Sequence, residues 1–447
     1  MGCEWAKTTL AQAGVTLIDC DHRTPPATEA GYPYIAIPQL KDGRIELSGV
    51  RRISAAHYAD WTKKLKPQGH DVIVVRRCNS GDSAVVPDSL ECAIGQNLVV
   101  LRADGTKVLP AYLRWLLRGR DWWNEVGKYI NVGAVFDSLK CRDIPNFEVA
   151  IPPIDAQREI ASFLGALDDR IDLLRQTNAT LEAIAQALFK SWFIDFDPVH
   201  AKAEGREPEV MDAATTALFP SEFEESELGP IPKGWEVATL SEHVDAVRGL
   251  SYKGAGLTCA GDGLPMHNLN SVLEGGGYKY AGIKYYNGAY KERHLVEAGD
   301  IIVANTEQGH HHRLIGFPAI VPHRFANGIF SHHLYRVRAK KGSPITRHWL
   351  YYCLMTSAVR DQIIGCSNGS TVNMLKPAGL QIPQMVVPPA KLCQAFDAIA
   401  EDLRTKIEGG VDRAETLAQL RDTLLPRLIS GKLRLPEATE AAEEAVA

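Results

Sequence analysis

Residues 151–192 read IPPIDAQREIASFLGALDDRIDLLRQTNATLEAIAQALFKSW. The double proline closes whatever precedes it, because proline lacks the donor that a ladder or helix interior needs. Beyond it, Ile160, Leu167, Leu174, Leu181 and Leu188 recur every seven residues. Leu164, Ile171, Asn178 and Ala185 form a second row four positions on. A strict seven-residue period makes a narrow apolar stripe of coiled-coil type, which needs a partner helix. Shifting by 236 residues gives that partner in the same chain: Phe396, Leu403, Gly410, Leu417 and Leu424, with Ala400, Ile407, Ala414 and Arg421. The predicted spacer helices occupy 151–197 and 390–433. At about 1.5 Å per residue, roughly 35 residues of each make a rod of about 50 Å. Asn178 lies in the seam, where a polar residue fixes register. Gly409-Gly410 predicts a weak point, at about 1 kcal/mol per glycine relative to alanine. The competing reading is two unrelated amphipathic helices, each packed on its own lobe.

Working outward, the chain preceding each helix repeats as well. Trp5-x-x-x-x-Leu10 matches Trp235-x-x-x-x-Leu240, and 69–74 matches 299–303 with one residue inserted. Leu98–Arg102 matches Leu334–Arg338, and Ile151-Pro152-Pro153 matches Val387-Pro388-Pro389. Short β-rich runs at 71–75 and 98–101, bounded by Gly, Pro and Asp, precede helical stretches at 110–117 and 345–354. The fold class is therefore two tandem α/β (α+β) lobes, 1–150 and 235–389, with two long antiparallel helices between them in a pseudo-twofold repeat. The acidic linker 198–234 reads as a surface loop, and the Ala/Glu-rich tail 434–447 as frayed.

With 447 residues and 23% charged, the chain has room for two or three domains and excludes disordered and collagen-like classes. Nine scattered cysteines without CxxC spacing suggest a reducing compartment. No 18-residue apolar run predicts a membrane span. The start MGCEWAKTTL shows no apolar signal core, so the expected location is cytoplasmic. The net charge of −5 hides a pattern: the two lobes carry +2 and +5, the intervening segment −9 and the last segment −3.

Four segments then resemble a known family: IPPIDAQREIASFLGALDDRIDLL, ALFKSWFIDFDPV, LGPIPKGWEVATL and TLLPRLISGKLRLPE. Their order around a duplication is similar to that of the specificity (S) subunit of Type I restriction–modification systems. The resemblance covers nearly the whole chain. It implies two target-recognition domains, each reading half of a split target in double-stranded DNA. It also implies two helices that act as spacer and dock methylation (M) subunits, two of them expected, with restriction (R) subunits outside. No Pro-x-Gly precedes Trp5, whereas Pro232-Lys233-Gly234 precedes Trp235.

Such a subunit carries no chemistry of its own, and the motifs agree. Asp197-Pro198-Val199 falls short of an adenine-methylation motif, and Gly431-Lys432-Leu433 lacks the spacing of a phosphate loop. The expectation is no cofactor, no resident metal and no catalytic residue. The rival class is a metal-dependent nuclease or hydrolase built on His310, His311 and His312, with His332 and His333 one strand later.

Affinity for DNA comes from phosphates and sequence from base edges, and loops at the ends of rigid strands are the places for readers. In the first lobe these are Arg76, Arg77, Asn79 and Ser80, after strand 71–75. Their counterparts after 300–304 are Asn305, Thr306, Gln308, His310 and Arg313. Arg248, Tyr252, Lys253, Asn268, Asn270, Ser370 and Thr371 are further candidates in the second lobe. Arg fits guanine, and Asn or Gln fits adenine. Arg51, Arg52, Lys63 and Lys64 suit phosphates.

Overall fold

The computed structural model describes residues 5–133, 136–209, 211–309, 311–368 and 372–446. Its contacts divide into two compact units: 1–175 with 411–447, and 176–410. The division runs through both long helices, Ile154–Phe193 and Ala390–Ile429, each of 40 residues.

In the first unit a four-stranded antiparallel sheet has the order Val15–Asp19, Leu98–Ala103, Val72–Val75, Ser83–Val85. In the second the order is Val244–Arg248, Leu334–Ala339, Ile301–Ala304, Pro318–Ile320. Val72–Val75, Ile301–Ala304 and residues 98–101 are buried on both faces, so they read as continuous apolar runs, whereas Leu334–Ala339 carries the half-buried Arg336 and Arg338. A two-stranded pair closes each lobe: Lys7–Thr9 with Glu148–Ala150, and Glu236–Thr239 with Gln384–Val387. Each lobe also pairs two strands in parallel, Tyr32–Ile35 with Ala93–Ile94 and Leu264–His267 with Gly328–Phe330.

One ion pair, built on a buried acid, repeats in detail. Arg102 grips Asp71 through Nε and Nη2, both at 2.7 Å, and Asp71 also accepts the Gln68 amide at 2.8 Å. Arg338 grips Asp300 in the same two-pronged way, and Asp300 accepts the Glu297 amide at 2.7 Å. A guanidinium fork satisfies both carboxylate oxygens at once, which is what a nearly buried acid requires.

Within each unit the two long helices run in opposite directions. In the first, Asp168 meets Arg421, while Leu167 and Ile171 pack with Ala414 and Leu417. Ile160, Leu164 and Leu424 join the core of the lobe. In the second, Asn178 lies against Gly410, and Phe189 packs on Phe396 with ring centroids 5.4 Å apart. Ile407 is buried; Leu174, Leu181, Leu188 and Leu403 are half-buried.

Three sequence expectations need correction. The helix continues through Gly409 and Gly410 without a break. The segment after the first helix is not a bare loop. It forms the helix Asp197–Ala203 and the hairpin Phe223–Ser226 with Gly229–Pro232. Val199, Phe219 and Ile231 are buried in the second unit's core, so a few apolar anchors outweigh the acidic composition. The tail is helical over Leu435–Val446, with Ala438 buried against the first lobe.

Candidate nucleic-acid interface

The loop after strand Val72–Val75 is held by the hairpin Asn131–Val132 with Asp137–Ser138. Leu139 N donates to Arg76 O at 2.8 Å, and Arg76 N donates to Asn97 O at 2.8 Å. Cys78 and Asn79 adopt positive φ, 59° and 70°, turning the chain sharply. Ser80 is buried; its hydroxyl and amide both donate to Asp137 Oδ1, at 2.7 and 3.1 Å. The Ser80 hydroxyl bond in particular holds the Asp137 carboxyl below its ordinary range. Arg77 and Asn79 are left exposed, with the Arg77 guanidinium 4.9 Å over the Phe136 ring. Val132 at the hairpin is 87% exposed.

The second lobe repeats this frame. Leu375 N donates to Asn305 O at 2.8 Å, and Asn305 N donates to His333 O at 3.0 Å. Thr306–Gln308 pairs with Val372–Leu375, which pairs in turn with Ser367–Asn368. Asn305 thus stands where Arg76 stands, and Thr306 where Arg77 does. Their side chains differ in reach: Asn305 and Thr306 are buried, and Thr306 Oγ1 lies 2.9 Å from His333 Nδ1. Burial, together with the neighbouring charges of His332 and Arg248, lowers the His333 pKa. Glu307 accepts the amides of Arg313, Leu314 and Ile315 at 2.8–3.0 Å. Burial alone would raise its pKa, but these three donors bring it below the usual range.

Above that frame, Arg248 donates to His332 O at 3.2 Å and reaches Met374 sulfur at 3.8 Å. The His332 and His333 rings are 3.9 Å apart, and Tyr252 lies 6.3 Å from His332. Asn305 Oδ1, Ser331 Oγ and His332 Nδ1 are buried without partners among the described residues. Gln308, Arg313 and Lys253 are exposed, and Arg313 sits 3.8 Å from Glu274. These groups can donate to and accept from base edges or phosphates.

The other candidates are held by contacts of their own. Asn268 is buried, donating to Gly282 O at 2.8 Å and accepting from Asn270 N at 2.9 Å. Asn270 accepts from Lys279 at 2.8 Å. Arg51 donates to Pro25 O at 2.9 Å and Arg52 to Gly31 O at 2.8 Å. Lys63 pairs with Asp60 at 2.6 Å, and Lys64 donates to Cys20 O at 3.4 Å. His310, Ser370 and Thr371 lie outside the described residues. Sequence reasoning passed over Val132, Phe136 and Met374, although the 236-residue offset relates 131–138 to 367–374.

The histidine loop does not gather ligands among the described residues: His311 is exposed, and the backbone carbonyl of His312 accepts from Arg360. The described His/Cys/Asp/Glu group close enough to share an ion is Asp19, Cys20 and His22, with ligand atoms within 4.8 Å of one another. Among the described residues no helix is long and apolar enough to cross a membrane.

Residues 23–183 match the family model of the Type I restriction modification DNA specificity domain. The chain is similar to the specificity subunits of Type I restriction enzymes. The MjaIX specificity subunit of Methanocaldococcus jannaschii is 25% identical over 416 residues, spanning 92% of this chain and 86% of its own. The HindI specificity subunit of Haemophilus influenzae is 24% identical, over 76% of this chain and 81% of its own. The crystal structure of the Type I S subunit from M. genitalium shares the fold, with a TM-score of 0.51 at 15% identity. It covers 95% of this chain and 96% of its own.

Proposed function

We propose that this specificity subunit reads a split target in double-stranded DNA, one half per lobe. On this reading the lobes are 1–150 and 235–389, and helices 151–197 and 390–433 form a coiled-coil spacer that sets the gap. The same helices dock M subunits, two of them expected, and R subunits join outside. The subunit itself supplies no catalysis and holds no cofactor; its place is the cytoplasm.

The observation that carries this reading is the repeated loop frame. Two lobes hold the same backbone hydrogen bonds around Arg76 and Asn305. They mount different side chains on them, Arg77 and Asn79 against Thr306 and Gln308. A shared frame with changed readers is what two unlike half-sites require. On this reading 198–234 is the linker between the lobes and 434–447 the tail.

The test is to express the chain with its methylation partners and map the modified adenines. A two-part motif with a fixed gap is the expected outcome. A single continuous motif would overturn the two-lobe reading.

A further inference from the structure

We propose that a cleft in the first unit docks an acidic peptide segment with an aromatic anchor, contributed by a partner protein. Trp5, Ala150, Pro426 and Ile429 help line this cleft of about 530 Å³. Lys7, Arg120, Arg427 and Lys432 line it too, all exposed and none with an ion-pair partner among the described residues. The acid in the wall, Asp121, accepts the Ala150 amide at 3.1 Å. Four cations gathered around one concavity repel one another, and an anionic occupant relieves that repulsion.

The second unit shows what fills the matching place. Trp235, the counterpart of Trp5, is 3% exposed because the chain's own segment covers it. Phe193 and Phe196 pack on it at 6.0 and 5.5 Å, and Phe223 packs on Phe196 at 6.2 Å. Phe223 begins an acidic hairpin that is clamped locally: Glu222 pairs with Lys233 at 2.6 Å, and Glu224 accepts the Gly234 amide at 2.8 Å. In the first unit Ile429 occupies the place of Phe193 by the 236-residue offset. Trp5 stays partly exposed, and the rim is cationic. The repeat therefore supplies the aromatic part of the occupant, a phenyl ring packed over this place, and the unpaired cations of the rim supply its preference for carboxylates.

A peptide fits better than a DNA strand. The cleft is a pocket with an aromatic wall rather than an extended cationic stripe, and Arg77 and Asn79 do not line it. A second copy's hairpin is disfavoured because that hairpin is already engaged in its own unit. The inference goes beyond DNA reading and does not depend on it.

The test uses full-length protein and a fluorescein-labelled peptide with the sequence of residues 219–232, FPSEFEESELGPIP. Fluorescence anisotropy should show saturable binding that weakens with salt. The double variant Arg427→Glu/Lys432→Glu should weaken it at least tenfold, as should Lys7→Glu/Arg120→Glu on the other wall. All four side chains are exposed, and a thermal melt checks that each variant is folded. A peptide with every Glu changed to Gln, or with both Phe changed to Ala, should bind at least tenfold more weakly. The proposal fails if there is no saturable binding, or if both folded double variants bind like wild type. It fails equally if a short DNA duplex displaces the peptide, since the cleft would then be a phosphate site.

Discussion

Gly410 faces Asn178 so closely that a Cβ at position 410 would lie 2.3 Å from Asn178 Oδ1. The glycine in the second helix is therefore a contact residue rather than a break. Alanine there gains about 1 kcal/mol of helix propensity, but overpacking costs about 1–3 kcal/mol. Gly410→Ala should leave stability unchanged or lowered in the native background. In an Asn178→Ala background the same change should be more favourable by at least about 1 kcal/mol. Urea melts of the four proteins in the cycle measure that coupling, and additive effects would refute the contact.

Asp168 is fully buried and is reached by Arg44 at 3.2 Å, Arg114 and Arg421. Burial by itself raises its pKa, but the three guanidiniums, Arg114 foremost, bring it below the ordinary value. Asp168→Asn leaves the half-buried Arg114 without its acid, while Arg44 keeps Asp172 and Arg421 keeps Asp422 at 2.8 Å, and should cost about 3 kcal/mol. The sign of the pH dependence follows. A carboxyl with a lowered folded pKa stabilises above its unfolded value, about 3.9, and that stability is lost as pH falls through the folded value. The gap in melting temperature between wild type and Asp168→Asn should narrow as the pH drops below about 4.

His267 behaves differently. It is fully buried, 2.9 Å from the Tyr278 hydroxyl and 3.1 Å from Phe325 O. Burial lowers its pKa from 6.5 to about 4. The folded chain keeps it neutral while the unfolded chain takes up a proton. Its stabilising contribution is complete above about pH 6.5 and falls by about 1.4 kcal/mol per pH unit down to about pH 4. His267→Gln should flatten that part of the stability profile. An unchanged slope between pH 6.5 and 4 would show that the ring protonates in place.

Much of this architecture is legible in side-chain periodicity. The heptad rows from Ile160 to Leu188 and from Phe396 to Leu424 mark two 40-residue helices. The Val72–Val75 and Leu98–Ala103 runs mark central strands. Composition misled where a few anchors decide the outcome. The acidic stretch after Asp197 folds because Val199, Phe219 and Ile231 are buried, and the tail is pinned through Ala438. At the candidate interface, residue type did not reveal orientation. Ser80, Asn268, Asn305 and Thr306 have the chemistry of base readers, but their burial depends on neighbours far away in sequence. Asp137 reaches Ser80 across 57 positions, and Gly282 reaches Asn268 across 14. The pairing of Asn131–Val132 with Asp137–Ser138 could have been found from its repeat 236 residues on, since an internal copy constrains loops that composition does not.

Arg77 and Gln308 are exposed on equivalent frames of different lobes. If each reads one half-site, Arg77→Ala should relax recognition in one half of the motif and leave the other intact. Gln308→Ala should do the reverse. Losing one good base contact costs about 1–3 kcal/mol of discrimination. Adenine-methylation mapping in cells expressing each variant with its partners reads this directly. On the same reading, the lobe charges of +2 and +5 limit the affinity of the lone chain for DNA. Each phosphate neutralised adds about 0.9 to the salt slope, so a handful of contacts per lobe gives weak, salt-sensitive binding. Replacing an exposed phosphate-contacting cation should lower that slope by about 0.9 across all sequences, whereas Gln308→Ala should leave it unchanged. A salt-insensitive, nanomolar complex of the isolated chain with its target would contradict the assignment. It would mean that apolar and base contacts, rather than backbone charge, carry the affinity.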